Sequence, residues 1–398
     1  MEIFSKKLLL ASSGVKIVDF ETSNYTSWYI DQKGDLYGCG GASYGQQGNG
    51  TSGYGTRVTT FTKRASNVKQ FSCSYNKTWY VTTSGDLYGC GSGASGAQGN
   101  GSTDDVLVFT KRASNVNKVV TGVSTTWYID TNGNLYGCGS GTYGAQGNGS
   151  TDNVTTFTYR GSNVKKVGLG QFTTMYLTND GKLYGTGLFG PQGNKTPQYK
   201  NFTLLANDVT DFDCTTYDYW YVTTSGDLYG TGVNTYGQQG SGDTTTVSSF
   251  TKRASNVKKV ATGGDTTWYI DNNGNLYGCG RSHMGQQGTS NTSNVTTFTY
   301  RGSNVSDVKC TSSATFYIDT NGDLYGCGRG ASGEQGSGDT SNVTSFTKRA
   351  SNVSKLQTTG NETWYLSSKN ELFGCGYNGE GQQGSGNTNN VLVFTKRK

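Results

Sequence analysis

Apolar and polar residues alternate along this chain in short runs, and the runs come in fours. In "VKKVATGGDTTWYIDNNGNLYGCG", residues 257–280, Trp268 and Ile270 alternate with Thr267 and Tyr269. This is the period-two pattern of a strand with two distinct faces. "NNGN" joins that run to "LYGCG", and Asn-Gly between apolar runs marks a tight hairpin, because both central residues tolerate positive φ. "VKKVAT" before them and "VTTFTY" after them complete four strands, and nothing in the unit shows sustained helical periodicity. The phrase "LYGCG" or a close relative recurs with its leucine at Leu36, Leu87, Leu135, Leu183, Leu228, Leu276, Leu324 and Leu372, in steps of 51, 48, 48, 45, 48, 48 and 48. An aromatic pair keeps step, from Trp28-Tyr29 to Trp364-Tyr365, with Met175-Tyr176 and Phe316-Tyr317 filling two slots. All six tryptophans occupy this one repeat position. A lone four-stranded unit cannot bury both its faces, so the units must stack. The pattern predicts an all-β fold, a single β-propeller of eight four-stranded blades over residues 11–398, with residues 1–10 as an N-terminal extension.

The last unit ends in "VLVFTKRK", whereas internal copies read on as "FTKRASNVKK". Residues from Ala11, "ASSGVKIV", resemble that missing continuation. The expectation is therefore a ring cut between two strands of one unit. The C-terminal strand would pair with the N-terminal ones, burying Val391, Val393 and Phe394 and leaving no open edge. The competing arrangement puts Phe4-Ser5-Lys6-Lys7 in that slot.

Composition supports the repeat reading. The 61 glycines are interleaved with 27 tyrosines and many β-branched residues, unlike a flexible linker. No apolar run is long enough to span a bilayer. A net charge of +6 permits an anionic partner such as nucleic acid without requiring one.

Each "LYGCG" is followed by a Gly-x-Gln-Gly, from Gly45–Gly48 to Gly381–Gly384. A unit ordered in this way resembles the regulator of chromosome condensation repeat. The resemblance covers all eight units and implies a propeller, typically of seven blades, closed by strands from both termini. It also implies functions ranging from nucleotide exchange on a small GTPase at chromatin to ubiquitin ligation and general binding. The departures are systematic. The family's Trp before Gly is Cys (Cys39, Cys90, Cys138, Cys279, Cys327, Cys375) or Thr (Thr186, Thr231), and its Gly-Gln-Leu-Gly leucine is Gln in every unit. The loops and wedge on which exchange relies have no counterpart in these uniform units.

No unit carries an unusual cluster of ionisable residues, so no catalytic centre is expected. His283 has no nucleophile or acid beside it, and the glycine-rich stretches lack the helix that a phosphate loop needs. No CxxC spacing points to zinc. "DTNGDLYG" at Asp319 turns straight into a strand, where a calcium loop needs a distal glutamate. Neither metal nor cofactor is expected. The odd cysteine count, with Thr replacing Cys, favours free thiols at small, partly buried strand positions and a reducing compartment, or a virion assembled in one.

Three features are candidates for contact with a partner. The eight glutamines of Gly-x-Gln-Gly form either an amide network tying loops to backbone or a ring around the channel. The basic pairs Lys63-Arg64, Lys111-Arg112, Lys252-Arg253, Lys348-Arg349 and Lys396-Arg397, with Arg160 and Arg301 after tyrosines, share one height and radius. They form either a solvated structural ring, neutralised by carboxylates such as Asp86 or Asp323, or a ring that docks an anion or protein. The fourth unit is shortest, lacks the Trp and the Cys, and holds both prolines; its Phe189, Leu204 and Leu205 are candidate apolar contacts. The reading at this stage is a non-catalytic propeller that binds a protein or serves as a structural, assembly component, for example of a phage or virus particle. The alternative, by family analogy alone, is a guanine nucleotide exchange or chromatin-associated factor.

Overall fold

The structure, a computed structural model, describes residues 14–188 and 198–398. Its strands form eight four-stranded antiparallel sheets, each made of four consecutive strands in chain order. Blade 1 runs from Ile17 to Ala65, blade 2 from Val68 to Ala113, blade 3 from Val116 to Gly161 and blade 4 from Val164 to Ala206. Blade 5 runs from Val209 to Ala254, blade 6 from Val257 to Gly302, blade 7 from Val305 to Ala350 and blade 8 from Val353 to Lys396. The first strands of adjacent blades contact one another and line the central channel, while the fourth strands form the rim. First-to-second and third-to-fourth connections lie on one face, called here the loop face. The second-to-third hairpins and the blade-to-blade turns lie on the opposite, turn face.

Repeated residues explain the repeated sheet. In blade 6 the hairpin is held by Asp271, whose Oδ1 accepts the amides of Asn273 (2.9 Å) and Asn275 (2.8 Å). Every indole lies flat on the glycine opposite it in the third strand. A Cβ at Gly278 would sit 2.4 Å from the Trp268 ring, so this glycine is required by close approach. The far side of each indole meets the rim strand of the next blade. Trp28 packs edge-on to Phe109 with ring centroids 6.1 Å apart, and Trp268 to Phe346 at 5.8 Å. That phenylalanine also packs on the tyrosine following the Trp in its own blade, as Phe109 does on Tyr80 at 4.9 Å. The apolar core is thus a ring of eight clusters, each containing residues of two neighbouring blades.

The eight-bladed ring forms as the periodicity requires, and its closure differs in one respect. Strand Val391–Lys396 pairs with the third strand of its own blade, and Ile17–Thr22 with the second strand of its own, so no sheet is shared between the two ends. The reason lies in "FTKRASNV". All seven blade-to-blade turns contain a left-handed residue: Asn67, Asn115, Asn163, Asp208, Asn256, Asn304 and Asn352, with φ between 56° and 62°. Asn and Asp tolerate that conformation better than other side chains, and it ends one sheet and begins the next. The phrase therefore spans a boundary between blades. Within the last strand, where burial of three residues was expected, Val391 and Phe394 are half-buried and Val393 is 51% exposed. The competing candidate, Phe4 to Lys7, lies outside the described residues, as does the proposed start of the propeller at Ala11.

Candidate functional site

Gly-x-Gln-Gly is a clasp between blades. Among the described residues, the third-to-fourth connection of seven blades reaches across to the rim strand of the next. Asn49 bridges Val108, Asn100 bridges Thr156, and the same contact recurs as far as Ser385 with Thr60, which joins blade 8 to blade 1. The loop linking blade 4 to blade 5 falls within residues 189–197, outside the described residues. The last clasp glycine has positive φ and lies against the receiving phenylalanine: a Cβ at Gly48 would be 2.4 Å from Phe109. The cysteines receive the clasp. The thiol of Cys39 donates to the Gln382 carbonyl at 3.2 Å, that of Cys90 to Gln46 at 3.5 Å, and that of Cys279 to Gln238 at 3.4 Å. Thr186 does the same with its hydroxyl, to Gly144 at 2.8 Å. Burial pushes these thiols up, so they remain protonated donors. Sequence reading saw only small buried positions here, because the partner of each lies in the preceding unit.

The invariant glutamines tie the clasp to its own blade. Nε2 of Gln47, Gln287, Gln335 and Gln383 donates to the carbonyl of Cys39, Cys279, Cys327 and Cys375 at 2.7–3.0 Å. They are fully buried between blades, which makes them the amide network and not a channel ring. The rim lysines are ion-paired: Lys63 with Asp35, Lys111 with Asp86, Lys252 with Asp227, Lys348 with Asp323 and Lys396 with Glu371, at 2.6–2.8 Å. The arginines beside them lie inward. Nε of Arg112, Arg160 and Arg301 donates to the carbonyl of Gln98, Gln146 and Gln287 at 2.7–3.0 Å. Arg349 reaches the Gln335 side chain at 3.5 Å. Arg64, Arg253 and Arg397 hold the corresponding place with a buried Nε that makes no hydrogen bond. Leu204 is 45% exposed and Leu205 half-buried; with Tyr199 and Phe250 they line a rim hollow of about 230 Å³. Phe189 lies outside the described residues.

Sequence reasoning missed a second feature, on the loop face where blades 8, 1 and 2 meet. Tyr25, Tyr44, Tyr54, Tyr75 and Tyr377 surround a recess of about 380 Å³ with Arg57 and Glu380. Tyr25 and Tyr75 pack edge-on at 4.5 Å, and Tyr44 lies 6.2 Å from Tyr75. Burial, then Tyr25 and Tyr44, push the Tyr75 phenol up, which keeps it neutral. Tyr54 is fully exposed, at the tip of the longest clasp connection, residues 42–56. Arg57 anchors that connection to blade 8 through Gly379 O at 2.7 Å. The available signal was the opening step of 51 residues where most steps are 48. Among the described residues, no three His, Cys, Asp or Glu side chains converge as a metal site requires.

The family model of the Regulator of chromosome condensation (RCC1) repeat matches residues 257–286, which are the first three strands of blade 6 and the start of its clasp. Among curated proteins, none matches the chain. Among solved structures the fold is similar to Prp20p of Saccharomyces cerevisiae, described with its binding to Gsp1p and histones (TM-score 0.60, 16% identity, 81% of this chain and 87% of that one). It is also similar to human WBSCR16 (TM-score 0.55, 17% identity, 86% and 85% of the two chains). A third similar structure is yeast RCC1 (Prp20) bound to Kap60 (TM-score 0.58, 16% identity, 79% and 83%). With clasp, seat and hairpin recurring in phase around the ring, this chain is an eight-bladed β-propeller whose repeats are similar to the RCC1 repeat.

Proposed function

We propose that this propeller is a non-catalytic protein-interaction module that docks its partner on the loop face, over blades 8, 1 and 2. The observation that carries this reading is the tyrosine-lined recess. Tyrosine is enriched at protein interfaces because a large apolar surface comes with a polar tip and few rotors to immobilise. Tyr44, Tyr54, Tyr75 and, on the neighbouring blade 3 loop, Val123 are exposed together on this face. Leu204 and Leu205 remain a second candidate surface, favoured by the apolar rim hollow that they line. If the protein belongs to a larger assembly such as a virus particle, the partner is a neighbouring component and the same patch serves.

The test is cross-linking from a photoreactive residue placed at Tyr54, with one at Leu204 as comparison, in extract of the native source. A discrete adduct from position 54, weakened about 30-fold or more in affinity by Tyr75→Ser in the purified pair, is expected for a central aromatic contact. An adduct from position 204 alone moves the docking surface to the rim. Recovery of a small GTPase would favour the exchange-factor alternative.

A further inference from the structure

Besides the tyrosine recess, the loop face has a second cavity, of about 310 Å³, between blades 5 and 6. Gln238, the residue before the invariant clasp glutamine, forms part of its wall and is 1% exposed. Its counterparts in blades 6 and 8 show the usual duty of this position. Gln286 Nε2 donates to Ser312 O at 2.8 Å and Gln382 Nε2 to Asn24 O at 3.1 Å, locking each clasp to the loop of the next blade. In all three the amide oxygen is already committed, accepting the N–H of Tyr236, Met284 or Glu380 at 2.9–3.0 Å. The amide orientation is therefore fixed, and it is the NH₂ group of Gln238 that is left over. That group lies beside the Asp218 carboxyl yet makes no hydrogen bond of ordinary geometry. Next to it on the wall is Gly264, in the loop that a locked clasp would reach.

Asp218 is the second departure. Five of the other blades have Thr at the start of the second strand or a similarly small residue, whereas blade 5 has an acid that is 1% exposed. One of its oxygens accepts Gln239 Nε2 at 3.0 Å. Burial pushes this carboxyl well up, which favours the protonated form, able both to donate and to accept. Tyr217 and Tyr236 flank the cavity, and Asp265 is already paired with Arg281 at 2.9 Å.

We propose that this cavity binds a small neutral polyhydroxylated ligand, a hexose-sized sugar, through the Gln238 amide and the Asp218 carboxyl. The choice of class follows from the polar groups present. An anion would meet the Asp265 carboxylate on the wall, and a cation would leave the Gln238 donor unmet. Adjacent hydroxyls, each donor and acceptor at once, match both groups, and aromatic walls suit a sugar's C–H faces.

The test uses saturation-transfer NMR on the full chain with methyl glucoside, methyl galactoside, methyl mannoside and N-acetylglucosamine as probes. At least one should bind, with affinity reduced tenfold or more by Gln238→Met and by Asp218→Asn. Gln286→Met, at a clasp that is locked, should leave binding unchanged. Absence of signal from all four probes on the wild-type chain overturns the proposal, as does binding that survives both cavity substitutions. Because the wild-type screen is decisive by itself, a variant that fails to fold does not shield the idea.

Discussion

Blade 8 meets blade 1 without a connecting backbone, and blade 3 meets blade 4 with one. The two junctions share the clasp, the thiol or hydroxyl seat and the indole-on-phenylalanine contact: Trp364 on Phe61 at 6.1 Å, Trp127 on Phe202 at 6.0 Å. Beyond this they part. At the corresponding channel positions, blade 3 has Lys118 and Val120 and blade 4 has Lys166 and Gly168. The 8/1 junction places Lys355 against Asp19, and Gln357 Oε1 accepts the Thr22 amide at 3.1 Å. On the loop face, Ala145 stands where blade 8 has Gln382, which bonds to Asn24, and Arg57 adds its bond to Gly379. Inside, Glu362 accepts the Trp364 indole N–H at 3.1 Å, whereas five other indoles, Trp127 among them, make no such bond. Side chains thus bind the untethered 8/1 junction more closely than the tethered 3/4 junction.

The largest test of this comparison is a matched pair of glycine substitutions. Gly384 and Gly147 have φ of 64° and 63°, and a Cβ on either would sit 2.5 Å from the receiving phenylalanine. Locally the damage is the same. Gly147→Ala leaves blades 3 and 4 tethered, while Gly384→Ala lets blades 8 and 1 separate. Gly384→Ala should lower Tm about twice as much, in the range of a severe core defect, and enlarge the radius in small-angle scattering. Equal losses would show that the tether contributes nothing.

A smaller effect is expected from Glu362. Burial pushes its carboxyl up to about 8, so the folded chain keeps a proton that the unfolded chain releases above its ordinary value of 4.5. Stability then falls as pH rises from about 4.5 to about 8 and levels off beyond. Glu21, pushed up to about 7 chiefly by burial, acts in the same direction. Glu362→Gln keeps an acceptor for the indole and removes the titration. It should be close to neutral in melts at pH 4.5 and raise Tm at pH 8; the same difference at both values would place the carboxyl in a charged state throughout.

The smallest effect is at the channel. Lys355 and Asp19 are 39% and 44% exposed, and such pairs contribute about 0–1 kcal/mol. Lys355→Met should lower Tm by no more than Lys166→Met, which breaks the pair with Asp211 between tethered blades. A clearly larger loss for Lys355→Met would mean that the closing junction draws more on its ion pair than solvent exposure suggests.

The fold was legible because every blade repeats the same two-residue alternation and the same hairpin, and six of the eight the same Trp-Tyr pair. The position of the cut was not, since "FTKRASNV" reads equally well as one strand running on or as two strands parted by a turn. Only the tolerance of Asn67 and its equivalents for positive φ distinguishes these. Rim arginines looked like a surface feature because a sequence shows neither depth nor the carbonyl of Gln98 waiting for Arg112. Tyr25, Tyr44 and Tyr75 escaped notice for the opposite reason: they occupy non-repeating positions, and attention to what recurs hides what departs.

The clasp has a direction. Each of the seven described clasps joins a loop of one blade to a receiving strand of the next, and each sheet is made of four consecutive strands. A duplicated stretch of one repeat would therefore arrive as a finished part, with a plug at one end and a socket at the other that already fit its neighbours. A strand-sharing ring lacks this freedom, because its copied stretch would carry fragments of two sheets. Circumference in such a molecule can change by whole blades without any new contact chemistry, so the blade count is set by how steeply each wedge tapers.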